Sequence, residues 1–164
     1  MRRNVFYSFH YAVDGQRAAQ VRNMGSVEGN EPAKDNDWES VTSGGDRAIQ
    51  RWIDEQLAGR SCTVVLIGSE TANRKWVRHE IQRSWNLGKG VVGVHIHGLK
   101  NLAGEQSAKG SSPFEGIDVG GTEWLSTIAR SYDPPYYDSK QVYGYISSNL
   151  ASWIEEAISI RAKY

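Results

Sequence analysis

The residue best placed to do chemistry is an acid that packing alone would not put where it is. In the run Trp76-Val77-Arg78-His79-Glu80-Ile81 the apolar positions follow helical spacing. On a wheel, Trp76, Val77, Ile81 and Ser84 span one arc, and Lys75, Arg78, His79, Gln82 and Arg83 take the other side. Glu80 falls between Trp76 and Val77, inside the arc that must face the rest of the molecule. A carboxylate there is costly unless it is paired or meets a wet pocket, and a helix that only packs does not place Glu on that face. Two readings stay open. Glu80 sits at the rim and pairs with Arg74, Arg78 or a residue of the first strand, or it faces a pocket and acts there.

Other chemistry-bearing residues carry less. His10 ends the first apolar run and is either a proton donor or substrate contact, or a hydrogen-bonded rim residue. His95 and His97 share one face of a strand, a spacing able to chelate a metal, but no third ligand is suggested by spacing, so no metal is expected. Gly44-Gly45-Asp46 precedes a helix whose N-terminus suits a phosphate, without the Lys and Ser/Thr of a P-loop or the dinucleotide glycine spacing. Asp54-Glu55 and Glu155-Glu156 lie mostly on solvated helix faces, and no Gly-x-Ser-x-Gly elbow is present. Cys62 opens an apolar strand and reads as core.

These residues need a scaffold, and the hydrophobic pattern supplies one. Residues 4–10 read as a buried strand, and Asp14 and Gly15 open a helix through Met24. Residues 25–45 are polar, glycine-rich and irregular, the kind of long loop that tends to be functional. Ile49, Trp52, Ile53 and Leu57 mark a second helix, stopped at Gly59. Residues 62–67 form a continuous apolar strand of the kind found inside a parallel sheet. A third helix, with Ser69, Thr71 and Asn73 able to cap it, runs to Leu87 and ends at Gly88. A strand follows over 91–96, a loop over 98–121, and a short edge strand within 124–132. Val142, Ile146, Leu150, Trp153, Ile154, Ala157 and Ile158 make the stripe of a last helix. Strands alternating with helices predict an α/β fold with a parallel central sheet covered on both faces, in a single domain spanning 1–164. In such a sheet ligands bind at the carboxyl ends of the strands. That selects Ser8, Phe9 and His10, then Gly68 and Ser69, then His95 and His97.

Composition narrows the class. The chain has 164 residues, with 19 Lys plus Arg against 19 Asp plus Glu. A neutral chain of pI about 6.9 is not built to wrap nucleic acid or coat an anionic membrane. One cysteine excludes a disulfide framework. With no signal peptide and no apolar span evident, the expected setting is the cytoplasm.

Val5-Phe6-Tyr7-Ser8-Phe9 resembles the first box of TIR domains, and Trp76-Val77-Arg78-His79-Glu80-Ile81 resembles their Trp-Cys-x-x-Glu-Leu helix motif, with Val77 in place of Cys. Ser8-Phe9-His10-Tyr11, Gln20-Val21-Arg22-Asn23, Gly45-Asp46-Arg47-Ala48-Ile49 and Glu70-Thr71-Ala72-Asn73-Arg74-Lys75-Trp76 are similar to the TIR-like family that includes the sensor subunit of the bacterial Thoeris antiphage system. The resemblance covers residues 4–100 well and the remainder loosely. It implies a flavodoxin-like three-layer sandwich. It also implies cleavage of NAD+ between nicotinamide and ribose, with Glu80 catalytic and NAD+ as substrate, so no separate cofactor. The product it implies is a cyclic ADP-ribose isomer, a second messenger for a separate effector protein, and self-association is common in such enzymes. On that reading Phe6, Phe9, Tyr11, Trp38 and Trp76 are candidate aromatic walls, Ser8 and His10 line the strand end, and Arg22 and Asn23 meet phosphate or ribose. Each has a plainer reading, as core for the aromatics and as a solvated helix end for Arg22 and Asn23. The contrasting function class is a TIR-like module that binds partners without catalysis. Glu80 favours the enzyme, since a binding module has no need of a carboxylate facing the sheet.

Overall fold

In the computed structural model, residues 3–25, 27–29, 45–120 and 123–164 are described. The elements run β1 (Asn4–Ser8), α1 (Tyr11–Arg22), β2 (Glu28–Gly29), α2 (Gly45–Leu57), β3 (Cys62–Ile67), α3 (Lys75–Asn86), β4 (Gly90–His95), α4 (Leu125–Ile128), β5 (Arg130–Tyr132) and α5 (Ser139–Arg161). All strand pairs are parallel, in the order β2-β1-β3-β4-β5. This is the doubly wound flavodoxin-like order.

Strand alternation sorts the core into two layers. Val5 and Tyr7 of β1, with Cys62, Val64 and Leu66 of β3, face α1 and α5, where Ala18, Val21, Val142, Ile146, Leu150 and Ile154 complete one cluster. Val65 and Ile67 face Val77, Ile81 and Trp85 of α3 on the other side, and Phe6 meets Ile49, Ile53 and Leu57 of α2. Every residue of β3 and β4 is buried, as their unbroken apolar runs require. Among the described residues no helix is long and apolar enough to cross a membrane.

Several boundaries differ from the sequence reading. The first strand ends at Ser8, and α1 begins at Tyr11, not at Asp14. Asp14 therefore lies in the first helical turn, where its N–H bonds the carbonyl of His10. Ser69, Thr71 and Asn73 do not cap α3. Arg74 takes the N-cap position with no side-chain bond, and Thr71 Oγ1 instead accepts the Gly68 N–H at 2.8 Å, tightening the exit of β3. The segment expected to be irregular from 25 contributes a two-residue edge strand, Glu28–Gly29, paired with Asn4 and Val5. The region of the expected edge strand holds the short helix α4 as well as β5.

The sheet order puts a crevice at the carboxyl ends of β1 and β3. These neighbours send their following helices to opposite faces, which is the topological switch point. Residues 97–117 cross above it as a strap. On the α1 side, Arg17 donates from Nε to the Leu99 carbonyl and from Nη2 to the Glu105 carbonyl, both at 2.8 Å. On the α3 side, Arg78 donates to the carbonyls of Pro113 at 3.1 Å and Glu115 at 2.7 Å. Between them the strap lies directly on the end of β3. A Cβ on Gly110 would stand 2.0 Å from the Gly68 carbonyl oxygen, and a Cβ on Gly68 would stand 1.9 Å from Asp14 Oδ2. Only glycine permits either approach.

Candidate active site

Glu80 is buried, with 1 % of its surface exposed. Helical spacing puts it on the same face as Trp76, Val77, Ile81 and Ser84, and all of these are buried against the sheet. Its Oε1 accepts a 2.7 Å hydrogen bond from the hydroxyl of Ser8, the last residue of β1. Its Oε2 is buried and has no partner among the described residues. The rim reading of Glu80 thus divides. The first strand does supply a partner, but by hydrogen bond, and among the described residues no ion pair forms: Arg78 spends its guanidinium on the strap.

A column of hydroxyls continues below the acid. Ser84 donates from Oγ to the Glu80 carbonyl at 2.6 Å and lies 2.6 Å from Thr63 Oγ1 of β3. Ser8, Glu80, Ser84 and Thr63 form a polar seam inside an otherwise apolar helix–sheet contact. Back-bonding from Ser84 to the carbonyl one turn earlier pins that turn of α3. Thr63 lies within an apolar strand, and its inward hydroxyl was the sequence signal for this seam.

The electrostatics follow from burial. Loss of solvent pushes the Glu80 carboxyl up to about 8, and the Ser8 hydrogen bond opposes this. At neutral pH the acid is mostly protonated. A cation placed beside it would draw off the proton and leave a carboxylate facing positive charge. Asp14, on the α1 side of the same strand ends, is also fully buried and is raised by burial, with Arg17 opposing. Its Oδ1 pairs with Arg17 Nη1 at 3.1 Å while Oδ2 has no partner among the described residues. The sequence reading used Asp14 only as a helix start; its spacing to Arg17, three residues on, was the signal available.

The remaining candidates divide by position. Ser8 meets Glu80 directly, and Trp76 stands one turn before Glu80 on α3. Trp76 packs in the cluster of Phe6, Ile49, Ile53 and Leu57, with Lys75 Nζ 4.7 Å from its ring centre and the His79 ring edge-on at 5.5 Å. Phe6 is fully buried in that cluster, with Arg60 over its ring. Phe9 is buried on the opposite face, 6.3 Å from the Tyr11 ring. Both phenylalanines thus occupy core. His10 is half-buried at the N-cap of α1, and its pKa is lowered chiefly by burial and then by Arg74, against Asp14 and Glu70. Arg22 and Asn23 are not brought to Ser8. They close the far end of α1, whose 12 residues span about 18 Å. Trp38 lies outside the described residues. His95 and His97 stand with ring centres 5.8 Å apart at the end of β4, and among the described residues no group of three His, Cys, Asp or Glu is placed to hold a metal. Asp46 pairs with Lys75 at 2.9 Å.

Residues 6–101 match the family described as Thoeris protein ThsB, TIR-like domain. The matched region holds Ser8, Glu80, Ser84 and Thr63. A protein of Bacillus cereus (strain MSX-D12) named "Putative cyclic ADP-D-ribose synthase ThsB1" is 39% identical over 120 residues, covering 70% of this chain. The aligned part spans 62% of that relative's length. With its sheet order, its buried acid on the third helix and this match over more than half its length, the chain belongs to the TIR-like domain family of Thoeris protein ThsB.

Proposed function

We infer that the protein processes NAD+, breaking the bond between nicotinamide and ribose, and that Glu80 is the catalytic residue. The observation that carries this reading is Glu80 itself. It is a buried acid held by Ser8 at the carboxyl end of β1, with its second oxygen unpaired among the described residues. Burying an acid without a cation costs stability, and a site that receives a cation recovers that cost at the moment of reaction.

The chemistry suits one carboxyl group. Nicotinamide departs with the electron pair of the C–N bond, leaving a ribosyl oxocarbenium ion. The positive nicotinamide ring, and then the sugar cation, favour the ionised form of Glu80, whose charge stabilises the developing cation. The carboxylate also positions the ribose through its hydroxyls. Attack on C1 by an adenine nitrogen or a ribose hydroxyl gives a cyclic ADP-ribose isomer, while attack by water gives ADP-ribose. The relative's name supports the cyclic outcome for that protein, and on this reading the product is a second messenger sensed by a separate effector. Glu80 is closed to solvent, so NAD+ reaches it by displacing what covers it. A trigger or self-association supplies that opening.

The test is to incubate the purified protein with NAD+, with and without lysate from phage-infected cells, and to identify products by liquid chromatography and mass spectrometry. Released nicotinamide with a cyclic co-product is expected. No nicotinamide under either condition, together with an unaltered defence phenotype for Glu80→Gln, would leave the non-catalytic module as the better account.

A further inference from the structure

The strap over the crevice has an anchor that packing alone does not explain. Arg17 is buried, with 4% of its side chain exposed. Its guanidinium joins three chain segments: Asp14 on its own helix, Leu99 just after β4, and Glu105 at the strap's turn. The strap has its own bonds, from Ser107 N–H to the His97 carbonyl at 3.0 Å and between Asn101 and Glu105. Arg17 adds the tie to α1. From there the strap passes over Gly68, with Gly110 in backbone contact, and reaches α3 at Arg78. Arg78 is two residues before Glu80. The strap therefore closes the β3 side of the mouth whose β1 side holds Ser8 and Glu80.

We propose that Arg17 is a positioning residue that selects the product, because it holds the 97–117 strap down on Gly68 and keeps water from the ribosyl cation. The proposal rests on the NAD+-processing reading above. Once nicotinamide has left, C1 is captured by whichever nucleophile is present. Capture by the substrate's own adenine nitrogen or ribose hydroxyl forms a ring, the hydroxyl losing its proton. Capture by water forms a C–O bond, releases a proton and yields ADP-ribose. A closed mouth favours the ring because bulk water is excluded from the cation. A lysine at 17 keeps the positive charge beside Asp14 but has no planar fork to reach both carbonyls at once.

The experiment compares the ratio of ADP-ribose to cyclic product, by mass spectrometry, for wild type, Arg17→Lys and Gly110→Ala. The alanine lifts the strap off Gly68 without touching Arg17. Both variants are expected to raise that ratio about tenfold while still releasing nicotinamide, with faster amide exchange at Ser107. The paired change Asp14→Asn with Arg17→Gln removes both buried charges together and serves if either single variant fails to fold. An unchanged ratio in folded variants that still release nicotinamide would overturn the role of Arg17 and leave the NAD+ reading standing. A wild-type protein that releases no nicotinamide would overturn both.

Discussion

At the scale of single residues, Glu80 sets the pH behaviour. Its pKa is raised from 4.5 to about 8 on folding, so the folded state holds a proton that the unfolded chain gives up. Stability from this group is complete below pH 4.5 and is lost as pH rises through about 8. Glu80→Gln should therefore match wild type in thermal unfolding at pH 5 and exceed it by about 2–4 kcal/mol at pH 8.5. A variant that is less stable at both pH values would mean the carboxyl is a structural tie. On the proposed NAD+-processing reading, the same pKa governs activity. With the ionised acid as the working form, kcat/KM should climb with pH, be half-maximal near 8 and level off above it. Ser8→Ala removes the hydrogen bond that favours ionisation, so the rising limb should move to higher pH. Activity at pH 7 should fall about tenfold, as read from initial rates across a pH series.

The placement of Glu80 was legible from the helical wheel, because a 3.6-residue period fixes a face. The partner was less so. The sequence allowed Arg74, Arg78 or the first strand, and the choice fell to Ser8 because Arg78 is drawn away to the strap carbonyls. Arg22 and Asn23 were attractive by type, but α1 carries them to its far end. Phe6 and Phe9 were open to two readings, and strand alternation buries them on opposite faces.

At the scale of elements, apolar runs and helix stripes predicted β3, β4, α2, α3 and α5 to within a few residues. The misses came where side chains form local bonds that compete with the expected role. Thr71 looked like a helix cap and instead bonds the Gly68 N–H. Two-residue β2 has too little apolar pattern to be seen, and exists because Glu28 and Gly29 pair with β1. The strap's close approach to β3 was invisible in a segment read only as a loop. Its tight stack of Asp14, Gly68 and Gly110 gives a direct test. Gly68→Ala places a methyl 1.9 Å from Asp14 Oδ2, on a short side chain already fixed by Arg17, and should destabilise the fold by about 2–4 kcal/mol. Chemical denaturation would measure it, and a neutral effect would mean that Asp14 and its helix turn yield easily.

At the scale of the whole molecule, the order β2-β1-β3-β4-β5 makes β1, β3 and β4 the protected centre, and leaves β2 and β5 as short edges. Amide exchange should be slowest in β3 and β4, both buried throughout, and fastest among the strands in β2. Exchange in β1 as fast as in β2 would contradict this packing. The arrangement also gathers the candidate site at one end of the sheet. The switch between β1 and β3 opens the crevice, α3 brings its acid in from one face, and the strap crosses from the other.

The central claim is that the buried carboxyl of Glu80 carries the breaking of the nicotinamide bond, and initial rates of nicotinamide release from NAD+ by wild type and Glu80→Gln test it most directly. The account predicts a variant that is folded, unfolds at the same or a higher temperature, and releases nicotinamide at least about a hundredfold more slowly. A folded variant that releases nicotinamide as fast as wild type would contradict it.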